Sequence, residues 1–287
     1  MKPSPASLGA DPLHPSGVPL PLRGRIGRVL TIAGSDSGGG AGIQADIKTI
    51  TTLGGYAASA ITAVTVQDTL GVHAVHPIPP AIIAAQIHAA LADIGADAVK
   101  TGMLGDATAI EAVLEALDDY PDIPLVVDPV MAAKGGAALL GDGALGRLRQ
   151  LIARAALVTP NAPEAEALTG LAIADTDDLR AAGEALLTSG VKAVLMKGGH
   201  VPGDSVVDLL ITAAGETVLE GPRIVTRHTH GTGCTLASAC AVGLAQGLRL
   251  EDAVARAWAY TAEAIRQAPG LGAGAGPLDH AWPLRGR

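Results

Sequence analysis

The residues best able to do chemistry crowd into one segment, His228-Thr229-His230-Gly231-Thr232-Gly233-Cys234. A Gly-Thr-Gly turn runs straight into Thr235-Leu236-Ala237-Ser238-Ala239-Cys240-Ala241-Val242, which is rich in Ala, free of Pro and apolar, and so reads as a buried helix. The N–H groups of Gly231, Thr232 and Gly233 would then stand free at a helix N-terminus, where partial positive charge binds phosphate or a developing oxyanion. Cys234 falls on the first turn, and the same field favours its thiolate. A base beside an anion cradle suits group transfer to a small molecule. The plainer reading of this segment alone is a glycine turn before a core helix with a buried cysteine.

Other candidates lie elsewhere in the chain. Asp128 ends the apolar run Leu125-Val126-Val127 and precedes Pro129. A carboxylate there can help hold Mg²⁺, or it can simply start a turn. In Asn161-Ala162-Pro163-Glu164, Pro163 suits a first helical turn and Glu164 sits where the helix dipole favours a carboxylate. Helix capping accounts for that alone. Beside Asp128, however, Glu164 completes a pair able to hold Mg²⁺ against a substrate phosphate, because Mg²⁺ is usually bound by one or two carboxylates plus phosphate. Lys197 precedes Gly198-Gly199. It can neutralise phosphate while the glycines admit a nucleotide closely, or it can be an exposed turn lysine. Asp46 interrupts the apolar pattern of Ile43 and Ile47 and reads either as a substrate hydrogen bond or as a solvated helix residue.

Five glycines fall in the nine residues Gly34 to Gly42, enough for a backbone to fold tightly around a ligand. Within them Gly40-Ala41-Gly42-Ile43-Gln44-Ala45 matches a dinucleotide-binding pattern. The loop before Gly40 is too long for that pattern's strand-to-helix turn, and Gln67 stands near where its acidic residue belongs. A dehydrogenase is therefore the weakest candidate. Neither a P-loop string nor the protein-kinase motif set occurs. His73, His76 and His88 have no partners at metal-ligand spacing.

Composition narrows the partners. Lys and Arg number 20 against 28 Asp and Glu, a net charge of −8, with no basic block, no Phe and only 2% aromatics. This argues against nucleic acid and anionic membranes. Two cysteines six residues apart on one helix face different ways and fit a reducing, cytoplasmic setting without disulfides. No apolar run is long enough to span a bilayer. Residues 1–27 are rich in Pro and Gly and read as a disordered or loosely attached extension; residues 28–287 read as one domain.

Strands and helices must position these groups. The pattern predicts strands at 29–33, 57–66, 98–99, 125–127, 157–159 and 193–196, and a hairpin over 206–211 and 217–220. Helices are expected at 41–53, 81–94, 108–117, 145–153, 163–168, 176–188, from Cys234 onward, and at 252–267, with Ile43, Ile47 and Ile50 sharing one face of the first. The Gly34–Gly40 stretch reads as a loop. Such alternation implies a mostly parallel sheet covered on both faces, with ligands beyond the carboxyl ends of the strands. Asp128, Thr159 to Asn161 and Lys197 to Gly199 fall there.

Taken together these motifs resemble the hydroxymethylpyrimidine kinase/phosphomethylpyrimidine kinase of thiamin biosynthesis, within the ribokinase-like superfamily. The resemblance rests on Ile32-Ala33-Gly34-Ser35-Asp36 with Gly38 to Asp46, Ala60 to Gly71, Lys100-Thr101-Gly102-Met103-Leu104, Val127-Asp128-Pro129-Val130-Met131, Thr159 to Glu164, Val194 to His200 and Thr229 to Leu236, and runs from about residue 28 to 280. It implies a ribokinase-like α/β/α fold and two successive phosphorylations by ATP, of the hydroxymethylpyrimidine to its monophosphate and then to the diphosphate. Gly34, Ala41, Asp46, Gln67, Met103 and Val130 would line the pyrimidine pocket, with Asp46 and Gln67 reading the ring nitrogens and amino group. Asp128, Asn161 and Glu164 would handle Mg²⁺ and phosphate, and Lys197 with Gly199 the nucleotide. Gly231, Thr232 and Gly233 would form the anion hole, with Thr232 also at the nucleotide. Cys234 replaces the aspartate base of the superfamily's sugar kinases. It would take the hydroxymethyl proton, with a useful thiolate fraction near neutrality. A homodimer is expected. Two departures stand out: Ser37 where the family often has Pro, and Ala275 where it has His. A pyridoxal or pyridoxine kinase is the near alternative, although Gln67 and Met103 favour a pyrimidine; a non-catalytic pyrimidine-binding sensor is the other.

Overall fold

The computed structural model describes residues 26–132, 136, 139–141 and 143–285. Most of the expected N-terminal extension lies outside the described residues. Gly27 already belongs to the fold, its carbonyl accepting the Tyr56 N–H. In chain order the elements are β1 (Arg28–Asp36), α1 (Gly42–Thr52), β2 (Tyr56–Gln67), β3 (Val72–Pro77), α2 (Pro80–Asp93), β4 (Ala98–Thr101), α3 (Ala107–Asp118) and β5 (Leu125–Val127). Next come α4 (Leu145–Ala153), β6 (Leu157–Val158), α5 (Ala162–Thr169), α6 (Thr176–Leu187), β7 (Ala193–Met196), β8 (Ser205–Thr212), β9 (Gly215–Pro222), α7 (Thr232–Ala245) and α8 (Leu250–Arg266).

The strands form one sheet in the order β3-β2-β1-β4-β5-β6-β7-β8-β9. From β2 across to β7 the neighbours pair in parallel; β3, β8 and β9 are antiparallel. Sequence dictates this division. β4, β5 and β7 are short and buried throughout, as strands covered on both faces must be. β3 and β9 lie at the edges and are mostly exposed. Side chains alternate across the sheet. Leu30, Val99 and Val127 pack under α2 to α6, whereas Val29, Ala98 and Val126 pack under α1, α7 and α8. The result is the expected three-layer α/β/α arrangement.

Three local expectations are corrected. β1 does not stop at Ala33 but continues through Gly34 to Asp36, pairing with β2 beyond a bulge between Ala33 and Ser35; backbone pairing outweighs the looseness that glycine suggests. β3 is an additional strand, which carries His73 and His76 and pairs His76 with Val64. On α1, Ile43 and Ile50 are buried but Ile47 is 37% exposed. The inward seat between them belongs to Asp46.

Candidate active site

The strand ends do converge. Asp36 ends β1 and Gln67 ends β2; beyond β4 stands Met103, beyond β5 Asp128, beyond β6 Asn161 and beyond β7 Lys197, with the N-terminus of α7 set against them. That helix starts at Gly231, whose φ of 85° is left-handed, a conformation that favours glycine. A side chain there would also strike the Gly40 carbonyl, so the α7 turn is locked against the glycine loop. Thr232 turns its hydroxyl back to the Thr229 carbonyl at 2.8 Å, and the same carbonyl accepts the Thr232 N–H at 3.4 Å. Gly233 sits closest to the charged groups: a Cβ added there would lie 3.3 Å from Asp128 Oδ2 and 3.3 Å from Lys197 Nζ.

Asp128, Glu164 and Lys197 form a partly open charge cluster. Lys197 Nζ lies 3.0 Å from Asp128 Oδ1 and 3.7 Å from Glu164 Oε2. Thr159 donates to Asp128 Oδ1 at 3.2 Å. Burial works against the Lys197 ammonium, but Asp128 and Glu164 outweigh it and raise its pKa above the ordinary value. Burial, aided by Asp128, pushes the Glu164 carboxyl up to about 7 although Lys197 pulls the other way. Glu164 and Asn161 also make a capping box on α5: Asn161 Oδ1 accepts the Glu164 N–H at 2.9 Å, and Glu164 Oε2 accepts the Asn161 N–H at 2.8 Å. Capping and cleft placement are therefore both true of Glu164. The Gly199 carbonyl is held by Arg223 at 2.8 Å.

Among the described residues, no group of three or more His, Cys, Asp or Glu side chains converges to hold a metal. Mg²⁺ needs no such cage, since one or two carboxylates, waters and substrate phosphate suffice. Asp128 and Glu164 fit it: two buried carboxylates share one ammonium and remain short of positive charge.

Beneath the α7 turn lies a second ion pair, between Lys100 and Asp46. Lys100 Nζ is 2.8 Å from both Asp46 oxygens, and both residues are fully buried. Thr31 donates to Asp46 at 2.5 Å and Ser238 at 2.7 Å. This corrects the expected role of Asp46: with no exposed surface and its oxygens taken by three donors, it lies below the pocket and cannot read a ring directly. Lys100, Thr31 and Ser238 escaped the sequence reading of the site, and a helix polar residue gave no sign of a partner 54 positions away.

Cys234 keeps part of its surface open and is a free thiol, as is buried Cys240. Burial pushes the Cys234 thiol up to about 11; Lys100 and the Gly42 N–H act in the opposite sense but are outweighed. The expected resting thiolate is therefore corrected to a neutral thiol. The helix-terminus field is real, but desolvation is larger.

Of the other expected pocket residues, Gly34 and Met103 are joined, the Gly34 N–H donating to the Met103 carbonyl at 3.1 Å. Ala41 abuts the Gly231 turn. Gln67 has both backbone groups clasped by Ser37: Ser37 Oγ donates to the Gln67 carbonyl at 2.7 Å and accepts its N–H at 2.8 Å. Val130 follows Asp128, its N–H donating to the Asp128 carbonyl at 2.8 Å. Asp36, His230 and Asp208 are functional candidates that sequence reasoning left unassigned. Asp208 accepts the Gly198 N–H at 2.7 Å and is pushed by burial up to about 6. Ala275, at the family's His position, bonds through its N–H to the Thr69 carbonyl at 2.9 Å. No helix among the described residues is long and apolar enough to cross a membrane.

A family model described as phosphomethylpyrimidine kinase matches residues 36–279. The chain is 49% identical over 257 residues to the hydroxymethylpyrimidine/phosphomethylpyrimidine kinase of Bacillus subtilis (strain 168), covering 89% of this chain and 95% of that protein. It is 52% identical over 255 residues to the thiamine biosynthesis bifunctional protein ThiED of Geobacter sulfurreducens, covering 88% of this chain but 52% of that protein, and so spans about half its length. A crystal structure of Bacillus subtilis pyridoxal kinase in complex with ADP is similar with a TM-score of 0.84 and 35% identity, over 91% of this chain and 99% of that one.

Proposed function

The chain belongs to the phosphomethylpyrimidine kinase family, and from that premise we propose that it uses ATP to phosphorylate 4-amino-5-hydroxymethyl-2-methylpyrimidine and then the resulting monophosphate, for thiamin biosynthesis. One observation carries this reading: the start of α7 brings Gly233 up against both Asp128 and Lys197 at a single point of the cleft. Phosphoryl transfer asks chiefly for alignment and for charge stabilisation at the transferred group. The α7 amides offer donors to its equatorial oxygens, and Lys197 adds a fixed positive charge. Asp128 and Glu164 would hold Mg²⁺, which supplies further neutralisation of phosphate charge. Asn161, Gly199 and Thr232 border the nucleotide, and Gly34, Ala41, Gln67, Met103 and Val130 border the pyrimidine.

Cys234 faces the substrate hydroxymethyl. As a neutral thiol it is not poised to take the proton in the resting site. The hydroxyl proton leaves late in a loose transition state, so a strong resting base is not required. The second phosphorylation has an ionised phosphate as nucleophile and depends less on Cys234. We also infer a homodimer: Val64 and Val66 of β2, one strand in from the β3 edge, are 43% and 57% exposed, and sedimentation at several concentrations tests it.

The likeness to pyridoxal kinase supports a second reading, in which pyridoxal is also phosphorylated. An assay of ATP consumption with the hydroxymethylpyrimidine, its monophosphate and pyridoxal separates the two. Turnover of both pyrimidines is expected. Turnover of pyridoxal alone would replace the first reading with the second.

A further inference from the structure

Asp36 ties the glycine loop together. Its Oδ1 accepts the Gly38 N–H at 2.8 Å, and its Oδ2 accepts those of Gly40 at 3.0 Å and Ala41 at 2.8 Å. The same Oδ2 lies 2.9 Å from His230 Nε2, across 194 positions of sequence. Burial pushes the Asp36 carboxyl up, but the hydrogen bond from His230 and those from Ala41 and Gly38 outweigh it and hold it below the usual carboxylate range. An ionised carboxylate at that distance faces a donor, so His230 Nε2 carries a proton.

Gln67 then has one consistent orientation. Its Nε2 is placed 3.3 Å from His230 Nε2, and its Oε1 3.2 Å from Thr65 Oγ1. Amide oxygen and nitrogen are told apart by their partners. Thr65 spends its single hydroxyl proton on the Ser35 carbonyl at 3.0 Å and has only lone pairs left for Gln67. His230 Nε2 has no lone pair to offer; its one proton goes first to Asp36 at 2.9 Å and can be shared with Gln67 only as a bifurcated bond. Turning the amide about, with Oε1 toward His230 and the NH₂ group toward Thr65, leaves no donor facing a donor and no acceptor facing an acceptor. Both outer positions of the amide are then occupied, and its inner edge shows one acceptor on the anion-hole side and one donor beyond it.

We propose that His230, anchored by Asp36, is a positioning residue that fixes which way round the Gln67 amide meets the pyrimidine, and so selects a 4-amino ring over a 4-oxo ring. This rests on the pyrimidine-kinase reading above. With the hydroxymethyl held at the anion hole, the neighbouring 4-amino group donates to Oε1 and the next ring nitrogen accepts from the amide N–H. A 4-oxo ring presents the reverse order and meets like against like at both points. His230 immediately precedes Gly231, so recognition of the ring and placement of the anion hole share one anchor.

The test has two arms. In the ligand-free protein, ¹⁵N NMR of the His230 ring reports its protonation directly: a protonated Nε2 is expected, and a bare Nε2 overturns the proposal. In the second arm, kcat/KM is measured for the amino substrate and its 4-oxo analogue with the native protein, His230→Leu and His230→Gln. The native protein should prefer the amino ring by about 10²–10³, since a 4-oxo ring leaves two polar contacts unsatisfied at once. His230→Leu frees the amide to rotate, and the preference should fall to about tenfold or less. His230→Gln keeps an N–H donor and should restore much of it, with KM for ATP little changed. Equal losses on both rings in His230→Leu, with the preference intact, would make His230 merely structural and sink the proposal. No turnover of the amino substrate by the native protein would instead defeat the kinase reading itself.

Discussion

Two lysine–carboxylate pairs serve this molecule in opposite ways. Lys100 and Asp46 are fully buried, and Thr31 and Ser238 complete the shell of the carboxylate. Lys197, Asp128 and Glu164 stand at the cleft, where one ammonium serves two carboxylates and Glu164 is pushed up to about 7. A closed pair of ions is a fixed internal charge; an under-neutralised group of ions is a place where a ligand's charges can be met. Burial and pairing count separate the two, since the residue types are the same.

Breaking the buried pair should have the largest effect. Lys100→Met leaves Asp46 unpaired in the interior, which costs about 3–5 kcal/mol; urea denaturation should show it as a large fall in midpoint. Replacing both partners, Lys100→Met with Asp46→Leu, should recover most of that loss. A single variant as stable as the native protein would mean that the pair is not the closed unit described.

Lys197→Ala should destabilise the fold less than Lys100→Met, because Lys197 is part-exposed at the cleft and Glu164, already raised to about 7, can take up a proton. By analogy with removing one preorganised donor from an anion site, its kcat should fall by about 10²–10³, read in the coupled ATP assay. If stability falls as far as for Lys100→Met, the contrast between the pairs is lost.

Cys234 sharpens the contrast, because it stands between the two lysines. A base contributes typically about 10²–10⁴-fold, and a thiol held protonated at neutral pH should deliver the lower end. Cys234→Ala should therefore lose about 10²-fold in the first phosphorylation, lose less in the second, and still bind nucleotide in a fluorescence titration. The sign in pH follows from the raised value. Thiolate is scarce at pH 7 and grows toward about 11, so a thiolate-dependent first step speeds up between pH 7 and 9. A flat profile in that window means that the proton leaves by another route.

The smallest effect belongs to Glu164. Its carboxyl, raised to about 7, is neutral below that pH and ionised above, so the affinity for Mg²⁺–nucleotide should increase as pH passes upward through 7. Glu164→Gln should flatten that rise and cost roughly tenfold in affinity at pH 8, ~1.4 kcal/mol. An unchanged pH profile in the Gln variant removes Glu164 from the cation site.

Local signals were legible and distant ones were not. The runs Leu125–Val127, Leu145–Ala153 and Ala193–Met196 announce β5, α4 and β7 at their true bounds, because each is a short apolar or amphipathic stretch between turn residues. The strand-end placement of Asp128, Asn161 and Lys197 follows from that alternation alone. By contrast, Asp46 reads as a helix polar residue until Lys100 is brought against it from another strand. Cys234 shows its helix terminus in sequence but not the packing that desolvates it. Asp36 and His230 belong to different motifs, and nothing in either announces the other. β3 was hidden for a different reason: an edge strand carrying two histidines and ending in Pro77 has no apolar alternation to reveal it.

The contact between Gly231 and the Gly40 carbonyl bears on how such a chain can be altered over generations or by an engineer. A methyl group at the helix start would be a wedge driven between two loops that come from opposite ends of the gene. The glycine-rich loop proposed to border the ring and the turn proposed to hold the phosphate are thus one interchangeable part, and a graft that imports either half alone would arrive without its counterpart.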